Sequence, residues 1–250
     1  LSLTYSVERR VGHVRRWIAL LVLLCTCMLV VVYETSASDR RFFLPEPLGG
    51  ITIVLDAGHG GIDGGASNGD IIEKDITLAI TQKLARQLKR LGAEVIMTRT
   101  TDGDVISEHK PNETFASLRE RKKQDIFLRQ SIVASTQPDL FITVHANAIP
   151  DSKWRGAQVF YHKTGHEESQ YLAKAVMESI KGEVGNTNRE ALAIEQIYLL
   201  KKTDVPAILV ETGFLSNPEE RDLLVNKKYQ DKMAAAIAQG IENYFDMTFE

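Results

Sequence analysis

The chain has 250 residues, 44% of them hydrophobic and 25% charged, with a formal net charge of −3. These are the proportions of an ordinary globular protein, and they exclude a disordered tail or a fibrous repeat. Residues 1–38 carry Arg9, Arg10, Arg15 and Arg16 against Glu8 and Glu34, which leaves −5 for the rest and argues against a nucleic-acid partner, whose domain would show a basic face.

Seventeen uncharged, mostly apolar residues, Trp17 to Tyr33, follow the four arginines. As a helix they would span roughly 25 Å, longer than an ordinary signal core and at the lower limit of a membrane span. Residues 1–38 therefore read as a signal sequence or, preferably, an uncleaved or slowly cleaved anchor; Ser36 and Ser38 would suit cleavage before Asp39. The arginines should stay on the cytoplasmic side, which places everything after residue 38 outside the membrane. Both cysteines, Cys25 and Cys27, lie in this run, so a thiolate zinc site or a disulfide framework is not available downstream. Residues 39–50, DRRFFLPEPLGG, read as a linker to one domain over residues 51–250.

Four short apolar runs bounded by turn formers predict buried strands at Ile51 to Leu55, Glu94 to Thr98, Leu140 to Val144 and Ala207 to Val210, with Ala157 to Tyr161 as a weaker fifth. Between the first two, Ile76, Ile80, Leu84, Leu88 and Leu91 recur at helical spacing and Gly92 stands where a helix would stop. Arg119 to Ser135, with Ile126, Phe127, Ile132 and Val133, repeats the helical pattern, as do Ser169 to Ile180 and Tyr229 to Phe245. Strands alternating with helices imply an α/β fold: a single domain with a mostly parallel twisted sheet and helices on both faces, preceded by an N-terminal hydrophobic helix.

In such a sheet the ligand crevice lies beyond the carboxyl ends of the strands. The runs ITIVLDAGH, LFITVH and AILVE end at His59, His145 and Glu211, and Glu73 opens the helix that must start where the first strand finishes. Taken singly, Glu73 also reads as a first-turn carboxylate favoured by the helix dipole, and His145 as a hydrogen-bonded core histidine. Glu211 is harder to treat this way, because a carboxylate straight after PAILV needs a cation or solvent. The glycines beside His59 fit neither phosphate motif: Asp63 stands where a dinucleotide fingerprint from Gly58 needs glycine, and no Gly-Lys-Ser/Thr follows. They would instead leave the His59 ring accessible, and two histidines with one carboxylate form a catalytic zinc set. His162 and His166 read as exposed loop residues, and neither His13 nor His109 reads as functional. Asn147 reads equally as a substrate contact or a turn residue.

The blocks IVLDAGHGGIDGGA, EKDITLAI, DLFITVHANA and PAILVETGFLSNPEE resemble, in order and spacing, those of the zinc-dependent N-acetylmuramoyl-L-alanine amidases of amidase type 3, over residues 51–245. The resemblance implies that His59, Glu73 and His145 bind one zinc ion (Zn2+) per chain and that Glu211 is the catalytic glutamate; it selects Glu73 over Asp70 and Asp75. It also implies hydrolysis of the bond between the muramic acid lactyl group and L-alanine in peptidoglycan. Arg129 matches a family arginine, whereas Ala134 stands where the family often has asparagine. A lone domain behind a hydrophobic segment looks most like the germination-specific, spore-cortex branch. The implied partners are peptidoglycan, the membrane through the N-terminal segment and an accessory protein that the sequence does not name. The rival readings are a zinc peptidase or deacetylase acting on another wall bond, and a catalytically silent wall-binding domain.

Overall fold

The computed structural model describes residues 17–31 and 46–248. His13, the cleavage position before Asp39 and most of the expected linker lie outside the described residues. The chain divides into two units, Leu1–Pro45 and Glu46–Glu250. In the first, residues 17–31 form helix α1, and all of its side chains are exposed. No helix among the described residues is long and apolar enough to cross a membrane.

The second unit begins with a turn in which Leu48 is fully buried and its N–H donates to Leu91 O, so this one residue of the expected linker belongs to the core. The strands are β1 (Thr52–Ala57), β2 (Ser67–Asn68), β3 (Ile71–Ile72), β4 (Glu94–Met97), β5 (Leu140–Asn147), β6 (Gln158–His162), β7 (Leu192–Ile194) and β8 (Ala207–Phe214). The helices are α2 (Glu73–Arg90), α3 (Val105–His109), α4 (Leu118–Thr136), α5 (Ser169–Glu183), α6 (Tyr198–Lys201), α7 (Pro218–Leu224) and α8 (Lys227–Thr248). Six strands form one sheet in the order β4-β1-β5-β8-β6-β7, in which β6 runs antiparallel to β8 and the other pairs are parallel. The small pair β2-β3 stands apart.

Alternation along the strands divides the core. Ile53, Leu55, Leu140, Ile142, Ile208 and Val210 pack with the apolar stripes of α2, α5 and α8. Their sequence neighbours Val54, Phe141, Ala207 and Leu209 face the other way, against Val133 of α4 and Leu199 and Leu200 of α6. Both faces are thus covered, as the sequence pattern requires.

Helix α4 departs from that pattern. Its buried residues are Asp125, Arg129 and Val133, a stripe with four-residue spacing that presents polar groups inward. Of the four apolar residues that predicted this helix, only Val133 is buried, and Ile126 is 41% exposed. Its ends obey local chemistry: the Ser117 side chain accepts from Glu120 N–H as N-cap, and Gln137 closes the helix in the left-handed conformation.

Leu84 on α2 is fully buried in the larger core. Leu84→Ala is expected to lower unfolding free energy by about 2–5 kcal/mol, measured by urea titration of the full chain.

Candidate metal centre

The order β1-β5-β8 brings the expected residues together through register. Val54, Phe141 and Ala207 are partners across the three strands, then Asp56, Thr143 and Leu209, then His145 and Glu211. Three rungs therefore climb one sheet face, from apolar to ion-paired to chemically active. His145 and Glu211 do not end their strands as expected; β5 and β8 run on to Asn147 and Phe214, paired through a register shift. His59 lies two residues beyond β1 with a φ of 62°, and Glu73 is the first residue of α2.

The donor atoms of His59, Glu73 and His145 all lie within 4.8 Å of one another. Glu73 Oε1 is 3.2 Å from His59 Nε2 and 3.0 Å from His145 Nδ1. Its carboxylate is fixed by backbone, since Ala66 N–H donates to Oε2 at 2.8 Å and Ala146 N–H to Oε1 at 3.1 Å. The two imidazoles meet edge to face at 5.0 Å between centroids. Glu211 lies beside His145, and its Oε2 atom is buried without a hydrogen-bond partner among the described residues. A cavity of about 380 Å³ opens against His59, His145 and Glu211, and its apolar lining includes Leu118 and Ile126 of α4, Tyr198 of α6 and Ile62. The Phe127 and Tyr198 rings, 5.4 Å apart, tie α4 to α6.

The flanking glycines serve packing rather than exposure of the His59 ring. A side chain on Gly58 would overlap the His145 ring, and one on Gly60 would stand 2.6 Å from Gly103 O and 2.9 Å from Arg99.

Beneath the site lies a buried charge network. Arg129 Nη1 donates to Asp56 Oδ1 at 2.6 Å and to Ala57 O at 2.8 Å, Nη2 to His59 O at 2.6 Å, and Nε to Asp125 at 2.7 Å. Thr98 and Thr143 each donate to Asp56 at 2.6 Å. Arg99 caps the same loop through the carbonyls of Ala57, Gly58 and Lys74. Ala134 is exposed, so the family's asparagine at this position would face solvent, not the sheet.

Electrostatics separate the carboxylates. Burial pushes Glu211 up to about 7, partly opposed by His145. Burial would raise Glu73 too, but His145 and His59 hold it well below the usual range. His59, despite burial, is raised to about 9 by Asp63 and Glu73. Asp63 is held low by its bond to His59 and by Lys122.

The remaining histidines lie elsewhere. His162 is not an exposed loop residue: it ends β6 and is buried, with Nε2 3.3 Å from Glu195 O and Nδ1 accepting from Thr164 N–H. His166 Nδ1 accepts from Glu168 N–H. His109 ends α3 with its Nε2 2.9 Å from Thr98 O. Asn147 ends β5, where its carbonyl accepts from Leu215 N–H. Sequence reading gave Asp63 no part beyond breaking the dinucleotide fingerprint and did not single out Lys122 or Tyr198, since a residue in an irregular turn gives no periodic signal.

Asp56 combines a lost hydration shell with Arg129 and two hydroxyls, and its net shift is below the ordinary 3.8. Burial and Arg121 with Ser107 act likewise on Asp104, leaving it at about 2. Both groups add stability above the ordinary carboxylate value, and that stability is lost as pH falls through their folded values. Acid titration should therefore show unfolding that begins below pH 3.8 and continues through about 2. Arg129→Ala, which leaves Asp56 uncompensated, is expected to cost about 3–5 kcal/mol at neutral pH by urea titration.

A sequence model of the N-acetylmuramoyl-L-alanine amidase family matches residues 53–243. The germination-specific N-acetylmuramoyl-L-alanine amidase of Bacillus subtilis (strain 168) is 38% identical over 230 residues, covering 92% of this chain and 94% of that protein. The probable cell wall amidase LytH of Staphylococcus aureus is 33% identical, covering 96% of this chain and 77% of that protein. Among solved structures, the CwlD amidase from Clostridioides difficile, in complex with the GerS lipoprotein, superposes with a TM-score of 0.73 at 40% identity, covering 79% of this chain and 99% of that one. These likenesses make the chain a hydrolase that belongs to the N-acetylmuramoyl-L-alanine amidase family.

Proposed function

We propose that this chain is a zinc amidase that cleaves peptidoglycan between the muramic acid lactyl group and L-alanine, in the spore cortex. The observation that carries the chemistry is the convergence of His59, Glu73 and His145 donors within 4.8 Å, beside the partnerless Oε2 of Glu211. Two imidazole nitrogens and one carboxylate oxygen suit zinc, and three protein donors leave a position for water or substrate. With Glu73 Oε1 3.2 Å from His59 Nε2 and 3.0 Å from His145 Nδ1, the three donors are grouped as that metal needs.

His59 Nε2, His145 Nδ1 and Glu73 Oε1 would hold one zinc ion, whose chemistry is Lewis-acid polarisation of the scissile carbonyl and activation of water near neutral pH. Glu211 moves the protons: its carboxylate accepts one from the attacking water and returns it to the departing amine of L-alanine. Burial favours this double role by raising Glu211 to about 7, near the pH at which it must serve as base and then as acid. Asp56, Arg129 and Arg99 act underneath, fixing the loop that carries His59.

The cortex assignment draws on the germination-specific relative of Bacillus subtilis, which the chain matches along nearly its whole length. The CwlD neighbour, solved with a lipoprotein, supports a helper protein for this chain as well. Action on wall polymer places the work outside the cytoplasm. The apolar run that includes α1 would supply the leader or anchor, since its exposed side chains need an apolar environment.

Glu211→Ala is expected to retain zinc, measured by elemental analysis, while losing roughly 10²–10⁴-fold in cleavage of isolated peptidoglycan. His145→Ala should lose the metal itself. Mass spectrometry of the products should show free N-terminal L-alanine; cleavage at another bond would indicate a peptidase or deacetylase. Bound zinc without any cleavage would indicate a silent wall binder. Chelation should abolish wild-type activity and added zinc restore it.

A further inference from the structure

We propose that Asp63 is a positioning residue that fixes the tautomer and ring orientation of His59, with Lys122 holding Asp63 in place; the proposal rests on the metal reading above. His59 presents its two ring nitrogens to two different carboxylates. Nε2 faces Glu73 Oε1 at 3.2 Å, in the group of atoms that would share the metal, and Nδ1 faces Asp63 Oδ2 at 3.0 Å on the opposite side of the ring. A neutral imidazole carries one proton, and the nitrogen that coordinates must be the bare one. An ionised acceptor at Nδ1 keeps the proton there and leaves Nε2 as the donor to the metal.

Asp63 is itself held from two directions. Its backbone forms a reciprocal pair with Gly60, N–H to carbonyl each way at 2.9 and 3.0 Å, which closes the turn after His59 and returns the carboxylate onto the ring. Gly61 N–H donates to Asp102 O at 2.7 Å and ties that turn to the loop behind it. Lys122 of α4 donates to the other carboxylate oxygen, Oδ1, at 2.7 Å. Each oxygen of Asp63 thus has a partner, Oδ2 the His59 ring and Oδ1 Lys122.

The other histidine has no such support. His145 points Nδ1 at Glu73, and among the described residues its Nε2 has no hydrogen-bond partner. The two histidines are held differently: His145 by the strand it sits on and the space left by Gly58, His59 by a side-chain clamp that compensates for its place in a loop. Removal of the clamp should weaken zinc at this site without touching the core.

The test is zinc affinity of the full chain, measured by competition with a chromogenic chelator, together with imidazole nitrogen NMR of the zinc-loaded protein. Asp63→Ala is expected to bind zinc about 10- to 100-fold more weakly. It should also lose the solvent-protected Nδ1 proton of His59. Lys122→Ala, which leaves the Asp63–His59 bond in place, should show a smaller loss of affinity. Wild-type affinity and an unchanged His59 proton in Asp63→Ala would overturn the proposal while leaving the metal reading intact. A wild-type chain that binds no zinc would remove both. Should Asp63→Ala fail to fold, Asp63→Asn keeps the shape without the charge: weaker zinc binding than wild type supports the proposal, and equal binding overturns it.

Discussion

The ion pair between Asp56 and Arg129 is the interaction on which the rest of the centre depends. Both groups are buried, so each must be fully satisfied or the fold would carry an unpaired charge. Satisfaction comes from two threonines, a second aspartate and two backbone carbonyls, one of them that of His59. A histidine with a φ of 62° occupies a conformation that residues with a Cβ adopt reluctantly. The guanidinium that neutralises Asp56 also holds the carbonyl of that residue, so the ion pair and the loop geometry form one structural unit.

Register does the remaining work. Once β1, β5 and β8 align in parallel, the side chains on one face follow in rungs: hydrocarbon nearest the helices, then the buried ion pair, then His145 beside Glu211. A shift of one residue in β5 would turn His145 toward the opposite core. The apolar contacts of Val54, Phe141, Leu209 and their neighbours therefore specify the site as much as they stabilise the sheet.

Much of this was legible in the chain. The buried strands announced themselves as short apolar runs, and three helices as clear stripes, because burial on a whole face imposes a period. His59, His145 and Glu211 were visible as polar interruptions at the ends of those runs, whereas Glu73, at a helix start beside Asp70 and Asp75, was singled out only by the family resemblance. The same interruptions misled on length: His145 and Glu211 read as strand ends, yet β5 and β8 continue to Asn147 and Phe214, since pairing between backbones is indifferent to side-chain polarity. Elements of two to seven residues, such as β7, α6 and α7, are too brief to show a period. The inward face of α4 was illegible for another reason. Arg129 is buried because Asp56 lies seventy-three residues away in sequence but 2.6 Å away in space, and no local pattern encodes that.

Helix α4 thus departs from ordinary polarity in two places: Asp125 and Arg129 are turned to the protein, and Leu118 and Ile126 to water at the cleft, beside exposed charges such as Arg119 and Lys123. A helix built this way cannot be optimised for solubility and for the cleft at once. Polar replacement of Leu118 would make the surface better behaved in solution and would wet one bank of the channel over the reacting groups.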